Sequence, residues 1–220
     1  MKKLISVIIL AAMLLLCFAS CDKEEEFLAP ALKDIDLSAT SSIEGVTLSE
    51  TETDYVLIEV ENYGKILVRL FPNVAPETVK NFKKLVSNKF YDGLIFHRVI
   101  EDFMIQGGGF TPDMTEKDAA SIKGEFTSNG FTNNLIHLRG VISMARTTVP
   151  DSASSQFFIV HKTSPHLDKQ YAAFGYTVYG LDVVDDIASV GTDSSDQPRK
   201  DIVITSIRFA DVSKLTFDIR

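Results

Sequence analysis

From Tyr55 onward the chain alternates. Val56, Ile58 and Val60 are interleaved with Leu57, Glu59 and Glu61, the turn-forming run Asn62-Tyr63-Gly64-Lys65 follows, and Ile66 to Phe71 resumes an apolar run. Successive strand side chains point to opposite faces, so this pattern around a Gly-containing turn predicts a β-hairpin. After Pro76 the period changes: Val79, Phe82, Leu85 and Val86 recur at helical spacing with lysines opposite. Proline is tolerated in a first helical turn, where its missing N–H has no partner to lose, and a helix is predicted to about Asn88. A second short helix is predicted from about Leu181 to Val190, with Val183, Val184, Ile187 and Val190 on one face. The segments between are short, β-branched and aromatic, punctuated by glycine, and the chain returns to a strand pattern from Ile202 to Phe209. Many strands with two helices suggest a barrel with helical caps, although periodicity alone does not separate this from other β-rich folds.

The first twenty residues follow different rules. Lys2 and Lys3 precede an apolar run from Leu4 to Leu16 in which Ser6 is the only polar side chain, and Phe18-Ala19-Ser20-Cys21 comes next. The run is shorter than the roughly 20 residues a spanning helix needs and ends in small residues, so 1–20 is predicted to be a secretory signal. Small residues directly before a cysteine resemble the lipobox of bacterial lipoproteins, which implies lipidation at Cys21. The acidic run Asp22 to Glu26 opens a stretch rich in Ser, Thr and acid, read as a flexible tether over 21–53. That acidic run reads either as a solvated spacer or as resembling the surface-export signal of some Gram-negative lipoproteins. The globular domain is expected over 54–212 and a short tail over 213–220.

Charge and cysteine content narrow the chemistry. With 22 Lys and Arg against 30 Asp and Glu, the net charge of −8 has the wrong sign for counterion-release binding, and no nucleic-acid partner is expected. Both cysteines, Cys17 and Cys21, precede the folded part, which therefore has no disulfide, thiol nucleophile or Cys-based zinc site to offer. His137 and His161 read as isolated, no pair has metal-ligand spacing, and no Gly-x-Ser-x-Gly elbow occurs, so neither metal nor hydrolytic chemistry is expected. Gly107-Gly108-Gly109 lacks the Lys and Ser or Thr of a nucleotide loop.

The most specific stretch is Phe96-His97-Arg98-Val99-Ile100-Glu101-Asp102-Phe103-Met104-Ile105-Gln106-Gly107-Gly108-Gly109-Phe110, followed by Gly140 to Arg146 and by Ser155-Gln156-Phe157-Phe158-Ile159. In order and spacing these blocks resemble the cyclophilin family, and with Ala75 to Phe82 and Phe174-Gly175 the resemblance covers about Tyr55 to Phe209. It implies a mainly β fold, a closed eight-stranded antiparallel β-barrel capped by two α-helices, with a substrate groove on its outer face. The implied activity is peptidyl-prolyl cis/trans isomerisation without a cofactor, on proline-containing unfolded or flexible polypeptides outside the cytoplasm.

Residue by residue, the resemblance implies Arg98 as the catalytic group and Phe103, Met104, Phe158 and Leu167 as the proline pocket. It implies polar contacts from Gln106, Gln156 and the main chain of Ala145 and Arg146. His166 stands where many members have Trp, and Tyr171 where a groove histidine is common, so both are expected at the rim. His97, next to Arg98 on a predicted strand, is expected to point to the opposite face and to be structural. A non-enzymatic module that captures Pro-containing segments, and a purely structural surface lipoprotein, are the rival readings. The default expectation is a monomer that meets a membrane only through its lipid anchor, in the bacterial cell envelope.

Overall fold

The computed structural model describes residues 46–117 and 119–213. The expected signal segment, Cys21, the tether as far as residue 45 and the tail from residue 214 lie outside the described residues. The strands are β1 (Thr47–Leu48), β2 (Tyr55–Val60), β3 (Gly64–Leu70), β4 (Phe96–Ile100), β5 (Met104–Gly107), β6 (Val141–Met144), β7 (Phe157–Val160), β8 (Ala173–Tyr179) and β9 (Ile204–Asp211). The helices are α1 (Pro76–Ser87) and α2 (Leu181–Ala188), and single 3-10 turns occupy Thr127–Asn129 and Pro165–Leu167.

The predicted hairpin is β2–β3, paired from Tyr55↔Arg69 to Val60↔Gly64. Asn62 and Gly64 both take positive φ, 63° and 132°, as a tight reversal requires. Alternation is incomplete because β2 is buried on two sides. Val56, Ile58 and Val60 enter the main core, while Leu57 and Leu67 lie in a separate cluster with Ala210, against which Tyr55, Val178 and Tyr179 pack.

All strand pairs are antiparallel, in the order β1-β9-β2-β3-β8-β6-β7-β5-β4. This corrects the expectation of a closed eight-stranded barrel: among the described residues the sheet has nine strands and is not closed by a ladder. The additional strand is β1, within the stretch read as tether: Thr47 and Leu48 pair with Asp211 and Ala210 at the far end of β9. No ladder joins β4 to β9. Where the two strands begin, the chain is linked by one bridge, Ile95↔Val203, and by backbone bonds from Phe96 N–H to Ile202 O (2.9 Å) and from Ile204 N–H to Leu94 O (2.7 Å).

Helix α1 lays Val79, Phe82, Leu85 and Val86 on the core. Its N-cap, Ala75, has no side chain to offer the free amides of the first turn. A distant residue does so: the buried Glu125 carboxylate accepts the N–H of Glu77 (3.1 Å) and of Thr78 (2.8 Å). Helix α2 ends at Ala188 instead of the predicted Val190, and Val190 still packs on the core beyond the helix end. The centre of the core is aromatic. Phe82 meets Tyr91, Phe157 and Phe174 at centroid distances of 5.2, 5.7 and 5.2 Å, in tilted and edge-on arrangements that suit ring quadrupoles.

Candidate active site

Cross-strand register builds the site. Arg98 on β4 pairs with Gln106 on β5, Gln106 with Phe158 on β7, and Phe158 with Ser143 on β6. Directly paired residues share a face, and their neighbours Val99, Ile105, Phe157, Ile159 and Ile142 fill the core, so this row lies on the other side of the sheet. A cleft of about 210 Å³ opens over it. Its apolar wall is Phe103, Met104, Phe158 and Leu167, and Arg98, Gln106, Ala145, Arg146 and Tyr171 complete it.

Two of the residues expected at the site stand just outside that lining. Gln156 accepts a hydrogen bond from Gln106 Nε2 at 3.0 Å and so fixes which way that amide points. Gly109 gives Gln156 its room, because a Cβ there would fall 2.5 Å from Gln156 Cγ. The glycine run is thus a packing device at this point. His166, on the 3-10 turn before Leu167, lays its ring 5.3 Å from that of Phe103. Tyr171, expected at the rim, is part of the wall and meets Phe158 edge-on at 5.8 Å. The Ala145 N–H donates to the Gln156 carbonyl (2.9 Å), so that amide is already engaged within the protein.

The expectation for His97 needs correction. The β4–β5 register shifts between Phe96 and Arg98, so His97 is an extra, bulged residue and strict alternation fails there. Its Nε2 lies 3.5 Å from Gln106 Nε2, beside the site, and its ring meets Phe110 at 4.7 Å. Burial lowers its pKa to about 4; a backbone contact at Ile95 acts against this and the Arg98 charge acts with it. The ring is therefore neutral near pH 7.

His137 is not isolated either. Nδ1 lies 3.0 Å from Asp168 Oδ1 and Nε2 lies 3.1 Å from Ser143 Oγ. A carboxylate can only accept, so Nδ1 carries the proton and Nε2 accepts from the serine. Burial pulls the His137 pKa down, with Asp168 opposing. The order Ser-His-Asp is that of a hydrolase, but Ser143 is 0% exposed and no substrate reaches it. The His137 ring stacks on Phe158 instead, at 6.0 Å and 18°.

Sequence reasoning also missed Asp196. Arg98, whose side chain is 44% exposed, places Nε and Nη2 each 3.2 Å from Asp196 Oδ2. The backbone fastens the same two strands of chain together, since Val99 N–H donates to Asp196 O at 2.8 Å.

A family model for the cyclophilin type peptidyl-prolyl cis-trans isomerase/CLD matches residues 55–209. The chain belongs to the cyclophilin family. This cyclophilin is 43% identical to a peptidyl-prolyl cis-trans isomerase of Acinetobacter baylyi, over 77% of its own length and 93% of the relative's. It is 42% identical to peptidyl-prolyl cis-trans isomerase B of Escherichia coli, over 66% and 94%. Among solved structures it matches a Cryptosporidium parvum cyclophilin type isomerase, crystallised in the presence of the dipeptide Ala-Pro. That match has a TM-score of 0.63 and 31% identity, covering 70% of this chain and 98% of the other. The cyclophilin is an enzyme, a peptidyl-prolyl cis-trans isomerase, with a mainly β fold and, among the described residues, two α-helices.

Proposed function

We propose that the cleft is the isomerisation site, that Arg98 is its catalytic residue, and that the enzyme acts on X-Pro bonds of flexible segments outside the cytoplasm. The observation that carries the first part is the cross-strand row: a permanent cation, an oriented amide and an apolar wall stand side by side. Amide resonance holds the X-Pro bond behind a barrier of about 18–20 kcal/mol, so a catalyst has to favour the twisted state, in which the nitrogen lone pair is localised. The proline ring is held by Phe103, Met104, Phe158 and Leu167. The Arg98 guanidinium binds the prolyl carbonyl and offers an N–H to the lone pair as the bond turns. Asp196 accepts from Nε and lies 3.2 Å from Nη2, and among the described residues no hydrogen bond engages Nη1, whose two N–H groups serve this role. One charge-assisted bond contributes about 1.5–3 kcal/mol, and the apolar pocket, with Gln106 on the peptide backbone, supplies further selectivity for the twisted geometry.

Exchange spectroscopy on a peptide with one X-Pro bond tests this. Arg98→Ala lowers kcat/KM about 100-fold, the equivalent of roughly 3 kcal/mol of transition-state bonding, with the fold intact. Full activity in folded Arg98→Ala overturns the assignment, and peptide binding without exchange by the unaltered protein would mark a capture module instead.

The extracytoplasmic part rests on the sequence before residue 46: a basic start, a short apolar run and Cys21 after small residues. In this reading Cys21 carries the lipid that holds the enzyme in the bacterial cell envelope, and the acidic stretch spaces the domain from the membrane. Among the described residues no helix is long and apolar enough to cross a membrane. Cys21→Ser makes the protein washable from membranes; full retention of that variant overturns the anchor.

A further inference from the structure

We infer that Arg146 is a specificity determinant, selecting substrates that carry a carboxylate side chain within about two residues of the X-Pro bond; this rests on the cleft being the isomerisation site. Arg146 lines the same cleft as Arg98, yet the two arginines are held in opposite ways. Arg98 is paired with a carboxylate. Arg146 is clamped between two rings, with Cζ 4.9 Å from the Phe126 centroid and 4.6 Å from that of Tyr171. Its Nε and Nη2 donate to the Gln170 carbonyl at 3.0 and 2.9 Å, and Nη1 donates to the Thr147 carbonyl at 2.9 Å.

Rings and neutral carbonyls fix a guanidinium in place without cancelling its charge, and among the described residues no carboxylate lies within ion-pair distance of Arg146. One N–H on Nη1 and one on Nη2 remain without a partner there. The result is a pre-oriented, uncompensated cation at the edge of a proline pocket, in a chain whose net charge is −8. At about 0.15 M salt the Debye length is roughly 8 Å, so the field of distant carboxylates is screened while a direct contact to Arg146 persists. Because guanidinium pairs with carboxylate through a matched fork, the ligand chemistry it selects is a Glu or Asp side chain beside the proline.

The test uses blocked peptides with one X-Pro bond and Glu, Gln or Lys at a single flanking position. Exchange rates are followed by NMR, so that no coupling protease imposes its own preference, and affinities are taken from shift titrations on the same samples. Wild type favours Glu over Lys about 5-fold or more at 0.15 M salt at one flanking position or more, and the ratio falls toward 1 at 1 M salt, where the Debye length is about 3 Å. Arg146→Lys keeps a preference for Glu, Arg146→Gln loses it and Arg146→Glu reverses it. The readout is the Glu-to-Lys ratio within each protein, so a change in overall activity cancels. Equal handling of Glu and Lys by wild type, or a Glu preference that survives in Arg146→Glu or at 1 M salt, overturns the inference. If no peptide is isomerised at all, the isomerase reading fails, and the affinity ratios still decide this one.

Discussion

Arg98 donates from Nε to Oδ2 of Asp196 at 3.2 Å, across 98 residues of sequence, and Nη2 stands at the same ion-pair distance from that oxygen. The carboxylate is itself held: Asp196 takes φ of 63°, and Asp193 stiffens the turn by accepting the N–H of Ser195 (2.8 Å) and Gln197 (3.0 Å). A half-exposed ion pair contributes only about 0–1 kcal/mol to stability, so its value lies in aiming the guanidinium. Asp196→Ala is expected to lower kcat about 5- to 10-fold while KM changes less than about 2-fold, because misdirection of a reacting group costs rate more than ground-state binding. The Arg98 Nε proton, observed by NMR, exchanges faster with water in the variant. Unchanged kcat together with unchanged exchange would show that the pair aims nothing.

Arg98, Gln106 and Phe158 were legible in the sequence through the family resemblance, because one motif spanning β4 and β5 carries the first two and a second on β7 carries the third. Strand pairing then does what short motifs cannot state, aligning them in one row. The partners that hold the row in place were not legible. Asp196 lies in a loop whose Asp, Ser and Gln content matches any solvated turn, and nothing local marks which aspartate meets Arg98. The bulge at His97 is a matter of how β4 registers against β5, which the residues around His97 do not announce. Leu57 broke the alternation because a second apolar cluster covers its face, and Thr47–Leu48 formed a strand because β9 is long enough to pair there.

The His97 ring gives a pH prediction with a fixed sign. Its folded pKa, about 4, lies below the unfolded value of about 6.5, so the unfolded chain binds the proton first as pH falls. The stability this residue contributes is fully present above pH 6.5 and declines as pH falls toward and through 4. The ring carbon protons of His97 should titrate near pH 4, and the denaturation midpoint should drop across that window, with a smaller drop in His97→Gln. His137 is displaced in the same direction by burial, so the assignment must be made residue by residue. A His97 midpoint near 6.5 would mean that the bulge leaves the ring in water.

Glu125 supplies the cap that Ala75 cannot. Its two carboxylate oxygens serve the amides of Glu77 and Thr78, and its negative charge meets the positive end of the α1 dipole. Glu125→Ala strands those amides, one of them in a fully buried residue, at an expected cost of about 2–3 kcal/mol in urea unfolding. Glu125→Gln keeps one acceptor and should cost about half as much. Losses below about 0.5 kcal/mol in Glu125→Ala would mean that water or another side chain takes over the cap.

Behind Phe158, Ser143, His137 and Asp168 form a closed polar chain that sets the position of the pocket wall. Phe158 has the His137 ring stacked on it and Tyr171 against it edge-on, at 5.8 Å and 84°. The imidazole is fixed from both sides, by Asp168, which also accepts the His137 backbone N–H at 2.7 Å, and by the Ser143 hydroxyl. His137→Phe preserves a ring against Phe158 but leaves the buried hydroxyl of Ser143 without its acceptor, which should cost about 2–3 kcal/mol. Ser143→Ala alone leaves Nε2 without its donor and should cost about 1–2 kcal/mol. Once both partners are apolar neither orphan remains, so the double variant should be no less stable than His137→Phe alone. A coupling of about 1 kcal/mol or more, read as the departure from additivity in a urea double-mutant cycle, follows from that. Strict additivity of the two single changes would show that the serine and the histidine do not depend on each other, and that Phe158 is positioned by packing alone.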